Sequence, residues 1–430
     1  MESLGLVRGA EPVCWLHGAL AAPPVAGLRR TAPGWAGDER EERLEVLLEG
    51  APAVIGAQVA AWNRLLRLAE QWVREGMGEP VYLCITPHAG SEEYRSLVVS
   101  GRVTLPDGAP GWPEGRVEAE MRLLRLDAWE SAEEWLAVSN ASGVDTGSGV
   151  VVSNHRDALH ENGVDIRGAH VRGSLPGAAR LLVSYANGLG DLITGLVGSA
   201  DLVGAAIRAG QVLEAEAAQG VTPVNSAAAS GGQYAARTLG PSAGEALLTW
   251  ALSADDLLDW EPGELVPFLR FFTAPQVADA VLYWQVTSCG VTWASEHQPL
   301  TGTLLQELPA VDLFAGLRGG RFAPVELALM LKTPAAVTLA VDFVQFFPAW
   351  RVRRYLARGA LTGSGVFEDD RGAVSAQPQG DSARLSAHCG VGQPLELEPG
   401  RDQRLLFLHP GGIDQTLRVR LWYRPRWHEV

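Results

Sequence analysis

The chain has 430 residues and a mass of 45.9 kDa, room for several domains at roughly 100–200 residues each. Hydrophobic residues make up 47% and charged residues 20%, a balance that fits neither a disordered chain nor a membrane-embedded one. Lys+Arg number 35 against Asp+Glu 50, a net charge of −15, and so acidic a surface repels phosphate backbones and argues against nucleic acid as a partner.

The four cysteines, Cys14, Cys84, Cys289 and Cys389, lie far apart with no CxxC pair, which excludes a Cys-rich zinc site and a disulfide scaffold. The N-terminus has no basic region followed by an apolar one, so no secretory signal is expected. The apolar stretches Leu189–Ile207 and Val325–Phe347 carry Asp191 and Asp201, and Glu326, Lys332 and Asp342, respectively. Charges near the centre of a span are costly in lipid, so no membrane insertion is expected and the chain should be soluble.

In chain order, residues 1–37 are rich in Gly, Pro and Ala and read as an arm or an irregular first strand. Residues 38–130 form the clearest unit. Leu44, Val46 and Leu48 alternate with Arg43, Glu45 and Leu47, which predicts a half-buried strand. Pro52 then opens a helix whose Ile55, Val59, Trp62, Leu66, Ala69 and Val73 fall on one stripe, and Gly76 and Gly78 close it. Strands follow at Val81–Thr86, Tyr94–Leu105 and Arg116–Leu126. In the last of these, Leu124 and Leu126 break the alternation set by Val117 to Leu123, which predicts a bulge nearby. The unit is β-α-β-β-β, one helix on an antiparallel sheet.

Residues 131–210 carry strand signals at Val150–Val152, Val164–Ile166 and Arg180–Ser184, with Asn162-Gly163 as a hairpin turn. Residues 211–348 hold apolar stretches at Val212–Ala217, Glu245–Ala251, Pro267–Phe272, Ala280–Val286, Val325–Leu331 and Val337–Phe347, the pattern of a β-sandwich. Residues 349–430 end in short strands, Arg404–Leu408 and Thr416–Tyr423 being the clearest. The fold class is therefore mainly β: a sheet or barrel with one packed helix, followed by β-sandwich domains.

No catalytic motif is present: there is no GxSxG, HExxH, P-loop or Rossmann glycine pattern. The glycines at 315–320 lack the Lys-Ser/Thr of a nucleotide loop and read as a turn. His155, Asp157, His160 and Asp165 share a short stretch that suits zinc or, more simply, ends a polar hairpin. Asp255, Asp256, Asp259, Glu261 and Glu296 are the candidates for the carboxylate pair a glycosidase needs. The first four cluster around Trp260 in what reads as an exposed, solvated loop. No enzyme activity is expected.

One constellation lies in 211–348. It begins Val212-Leu-Glu214-Ala-Glu216-Ala, continues through Ser230-Gly231-Gly232-Gln-Tyr234, and ends Val341-Asp342-Phe343. This resembles carbohydrate-binding β-sandwich modules that read EAE in the first strand, then SGGxY, and carry an Asp among apolar residues in the last strand. The resemblance implies a structural calcium held by Glu214, Glu216 and Asp342, whose hard oxygen ligands would tie the first and last strands together. A spacing of two puts Glu214 and Glu216 on one face of a strand. Sugar binding would use exposed aromatic faces. Tyr234, Trp260 and Trp293 are the candidates for glycan stacking, while Trp284 on its apolar strand reads as core.

The β-α-β-β-β unit at 38–130 resembles the tail-tube-like N-terminal domain of siphophage distal tail proteins, and Trp135–Gly188 resembles the start of their galectin-like second domain. In some members of that family a carbohydrate-binding module is inserted into the second domain. After the arm that composition suggests at 1–37, the resemblance implies three parts: a tail-tube-like domain at 38–130, a discontinuous galectin-like sandwich at 131–210 plus 349–430, and an inserted module at 211–348. It further implies a homo-oligomeric ring at the tail tip of the virion, assembled in the host cytoplasm. The partners would be other phage tail proteins and host-surface polysaccharide. The alternative is a bacterial carbohydrate-binding protein with no viral role, and a β-sandwich glycoside hydrolase is a third.

Overall fold

The computed structural model describes all residues except 10, 20, 22, 31–33, 37–38, 107–114, 154–161, 199–211, 258–259, 262, 278, 314–322, 358–362, 379–387, 410–415 and 429–430. The protein is mainly β. It divides into two compact units, one comprising Met1–Glu134 with Gly173–Gly177 and Arg424–Val430, the other Trp135–Arg172 with Ala178–Tyr423.

The first unit contains β1 (Ser3–Arg8), β2 (Glu11–His17), β3 (Val25–Arg30), β4 (Gly34–Ala36), β5 (Glu39–Glu49), α1 (Pro52–Glu75), β6 (Val81–Thr86), β7 (Tyr94–Thr104), β8 (Arg116–Leu126) and β9 (Trp129–Glu130). The main sheet runs β2-β1-β6-β7-β8-β5-β3. Of the two readings of residues 1–37, the described residues fit the strand and not the arm. β1 pairs along its length with β6, and Leu4 and Leu6 are fully buried. Gly5 between them serves a close approach, since a Cβ there would fall 2.6 Å from Trp15 Cε3. The glycine that gives this segment a loop-like composition is what lets a tryptophan cross the strand.

Helix α1 matches its sequence signature. Pro52 opens it, and Gly76 in the left-handed conformation closes it with its N–H donating to the Trp72 carbonyl. Ile55, Trp62, Leu65, Leu66 and Ala69 are buried, whereas Val73, expected on the same stripe, is 41% exposed. In β8 the alternation does not break. Arg125 takes the inward position after Leu123, and Leu126 points to solvent. The irregularity lies in the partner strand, where the β7–β8 register shifts between Val98 and Ser100. Arg125 is tolerated inside because Glu42 of β5 is also fully buried and faces it at 2.8 Å.

The second unit is four sheets in layers. The first layer centres on strands Thr416–Tyr423, Gly177–Tyr185, Gly365–Asp370 and Ala373–Pro378, with Val150–Ser153 on the outer side of Thr416–Tyr423. The second orders Gly163–Ile166, Gln403–Leu408, Leu192–Gly198, Val352–Ala357 and His388–Val391. The third orders Thr222–Asn225, Gln233–Leu239, Val337–Pro348, Glu264–Phe271 and Leu305–Glu307, with Val212–Glu214 beside Val337–Pro348. The fourth orders Ser242–Leu252, Val325–Thr333, Val281–Ser288 and Val291–Ala294.

Layers one and two enclose one apolar core and layers three and four another. A third core joins layer two to layer three. Ile193, Val197, Val352, Leu406 and Leu408 meet Val266, Phe268, Phe343 and Phe347 there. Strands in these two middle layers are consequently buried on both faces, Glu264–Phe271 from Leu265 onward and Gln403–Leu408 throughout, with Arg270, Gln403 and Arg404 among the buried positions. The apolar side chains there, once fully buried, each contribute on the order of 1.5–3 kcal/mol.

Asn162-Gly163 is not a hairpin turn. Gly163 begins a strand paired with Leu406, and the fully buried Asn162 accepts the Phe407 N–H through its carbonyl at 2.8 Å. A Cβ on Gly163 would fall 2.7 Å from Arg404 Nε and Leu406 Cδ2, so the glycine is required by neighbouring side chains and not by a turn.

Candidate functional site

The acidic trio meets at one turn. Strand Val212–Glu214 stops at Glu214, and Ala215–Ala217 form a turn of 3-10 helix. Glu214 and Glu216 therefore do not share a strand face, as their spacing had predicted. Alternating Ala and Glu are poor strand formers, and the buried Ala215 is better served by the tighter turn. The Ser230–Gly232 turn lies against both this segment and Val337–Pro348. The Ser230 N–H donates to Asp342 Oδ1 at 2.8 Å and its hydroxyl donates to Glu214 Oε1 at 2.8 Å. Gly231 has φ +60°, and a Cβ on it would lie 3.4 Å from Glu216 Oε1.

Burial pushes the Asp342 carboxyl up to about 7; the Ser230 N–H and the Arg270 guanidinium oppose this and the Glu216 carboxylate adds to it. Burial also raises Glu216, and it lowers Arg270, which Asp342 partly restores. Glu216 Oε2 is buried without a hydrogen-bond partner, an orphan acceptor of the kind a cation would satisfy. Among the described residues, however, no three His, Cys, Asp or Glu side chains converge closely enough to hold an ion as placed.

The three aromatic candidates are dispersed. Trp260 is only 5% exposed and packs on Phe346 at 5.1 Å, so it belongs to the core of layers three and four and offers no face to a sugar. Its acidic neighbours gave it the look of a loop residue. Tyr234 is half-buried and stacks on Phe272 at 4.0 Å and 3°. Trp293 is half-buried against the same core. Trp284 is fully buried, as its strand implied.

The remaining polar candidates have structural duties or lie out of view. His155, Asp157, His160, Asp259 and the 315–320 glycines fall outside the described residues. Asp165 sits in a strand, 3.7 Å from Arg404. Asp256 caps a short helix by accepting from the Ser253 N–H and hydroxyl at 2.8 and 2.7 Å. Glu296 is exposed. Glu261 is not solvated: it is buried, accepts the Gly198 N–H at 3.0 Å, and pairs with Arg351 and Arg401 at 3.3 and 3.0 Å.

Beside that ion cluster is a concavity of about 220 Å³ that the sequence reading did not single out. It is lined by Thr194, Leu196, Trp350, Arg351, Arg353 and residues 393–396. Trp350 lies on the 3-10 turn Ala349–Arg351, where the chain crosses from layer three to layer two, and is 54% exposed. The Arg351 guanidinium stacks over its ring at 4.2 Å. The available signal was a tryptophan between Pro348 and the basic run Arg351–Arg354, outside any apolar alternation.

No protein-family model matches the chain. No curated protein matches it either. Among solved structures, the chain is similar to SPP1 Dit (gp 19.1), described as a paradigm of the hub adsorption apparatus in phages infecting Gram-positive bacteria. That similarity covers 98% of each chain at 7% identity, with a TM-score of 0.32. The infectious bursal disease virus VP2 subviral particle is similar over 69% of this chain and 80% of that one, at 10% identity and a TM-score of 0.15. Among the described residues no helix is long and apolar enough to cross a membrane.

Proposed function

We propose that this protein is a structural component of a siphophage or prophage tail tip, a distal-tail-like ring subunit that joins tube to tip and works by binding. One observation carries the reading: strands from both sides of 212–348 interleave in the same two sheets. Gly177–Tyr185 pairs with Gly365–Asp370 and Thr416–Tyr423, and Leu192–Gly198 pairs with Val352–Ala357 and Gln403–Leu408. A sandwich interrupted by a second sandwich, preceded by a β-α-β-β-β unit, is the order of parts found in those distal tail proteins that carry an inserted module, and it supports the resemblance. In the first unit, β2 and β3 end the sheet path among the described residues, and Val13 on β2 is exposed. Such edges favour pairing with a neighbouring copy, and a heterologous contact repeated by rotation closes a ring.

Light scattering of the purified protein, followed by negative-stain electron microscopy, tests this. Closed rings of uniform mass are expected; a monomer at every concentration overturns the reading. The finer parts of the proposal are assembly in the host cytoplasm, incorporation in the virion, and contact with host-surface polysaccharide through the sandwiches. Calcium at Glu214, Glu216 and Asp342 is a further part. The orphan Glu216 Oε2 supports it, and side-chain shifts would be needed to bring the three carboxylates onto one ion. Chelator is expected to lower the melting temperature of the full chain, with calcium restoring it; an unchanged melting curve removes calcium from the reading.

A further inference from the structure

We infer that the concavity beside Trp350 is a subsite for one uncharged sugar ring. It rests on the glycan-contact part of the proposed function and places that contact at the crossover between the two sandwiches, on residues the resemblance does not assign.

Size comes first. About 220 Å³ is below the roughly 300–1,000 Å³ of pockets that take larger ligands, which leaves room for a single ring and not for an extended cofactor. Chemistry comes second. Trp350, Leu196 and Leu395 supply apolar surface and Gln393 and Glu396 supply hydrogen-bonding groups, matching a pyranose with its C–H face and hydroxyl edge. Trp350 is 54% exposed yet held in place by the guanidinium stacked on it at 4.2 Å. A large, pre-oriented, half-wet indole is the side chain best suited to such stacking.

Charge comes third and excludes the anionic alternatives. Arg351 and Arg401 share Glu261 and Glu398, two cations with two carboxylates. Arg353 is matched by Asp369 at 2.5 Å. Glu396 adds one more carboxylate to the lining, so a phosphate or uronate would meet no net positive charge.

The test uses the full chain and saturation-transfer NMR with methyl β-galactopyranoside, methyl β-glucopyranoside and N-acetylglucosamine as neutral probes, and glucuronic acid and glucose 6-phosphate as anionic ones. Transfer to at least one neutral probe is expected, with weak, millimolar affinity. Trp350→Ala should weaken it at least about tenfold. Trp350→Phe should keep part of it, and Val291→Ala, at an exposed position outside the lining, should leave it unchanged. No transfer to any neutral probe, transfer to the anionic probes alone, or an undiminished signal in Trp350→Ala overturns the subsite. Ring formation, read by light scattering on the same samples, and pull-down on whole cell-wall polysaccharide report separately on the tail-tip and glycan-contact readings. Intact rings with no pyranoside binding therefore sink the subsite alone.

Discussion

The ring of Phe347, in the third layer of the second unit, occupies the space where a side chain on Gly195 of the second layer would begin. Gly195 sits mid-strand between Ile193 and Val197, which face the same core as Phe347. The two sandwiches are thus locked face to face by a knob in a notch, and the notch exists only because residue 195 has no Cβ. Gly195→Ala should destabilise the second unit by about 1–3 kcal/mol through overpacking. Gly56→Ala, in helix α1 with nothing within 4 Å, should stabilise by about 0.5–1 kcal/mol. Urea unfolding of the two variants checks both signs.

The same interface predicts the behaviour of 212–348 cut out of the chain. Val266, Phe268, Phe343 and Phe347 would lose the apolar partners they have in layer two and form an exposed patch of a kind soluble monomers seldom carry. The excised segment should self-associate or precipitate, and Phe268→Glu with Phe347→Glu should increase its monomer fraction in size-exclusion chromatography. A well-behaved monomeric wild-type segment would mean that the face is not apolar in solution.

The elements with simple periodicity were legible in the sequence. Helix α1 and strands β6 and β8 fall where the stripe of Trp62 and Leu66 and the alternation of Val117 to Leu123 put them. The misreadings share one cause, a residue whose role depends on a distant partner. Gly5 and Gly163 look like loop residues until Trp15 and Leu406 are beside them. Arg125 looks like a phase break until Glu42 faces it. Trp260 looks exposed because acids surround it in sequence, although in space it meets Phe346. Strands such as Val352–Ala357, rich in Arg, were missed because their charges are neutralised by carboxylates on other strands, Asp369 for Arg353 among them. Glu214 and Asp342 each accept from Ser230, and Glu216 lies on a 3-10 turn and not on the strand face that a spacing of two suggests.

His409, at the end of strand Gln403–Leu408, is buried. Burial lowers its pKa from the ordinary 6.5, Asp191 works against this, and Arg270 adds to it. The unfolded chain therefore binds the proton more readily than the folded one. The stability this group contributes is fully present above 6.5 and is lost as pH falls through that value toward the folded-state pKa. Unfolding free energies at pH 7.5 and 5.5 should show a smaller drop in His409→Gln than in the parent; an identical drop assigns the pH dependence to other groups.

In the first unit, Glu42 is buried between Arg30 and Arg125, and Arg125 in turn stacks on Trp129 at 4.3 Å. Burial alone would raise the Glu42 carboxyl, but hydrogen bonds and charge from Arg30 and Arg125 outweigh it and hold the group below its ordinary 4.5. Its contribution is then present above 4.5 and is lost as pH falls through the lower folded-state value. Glu42→Gln leaves Arg125 buried without its countercharge and should cost about 3–5 kcal/mol. Replacing the pair together, E42L with R125M, should recover much of that loss, because two apolar side chains carry no desolvation penalty. Thermal melts of the single and double variants at pH 7 and pH 4 decide it. The single variant should melt well below the parent at pH 7, the gap should narrow at pH 4, and a double variant as unstable as the single one would mean that the pair itself, and not relief of a stranded charge, holds β5 against β8.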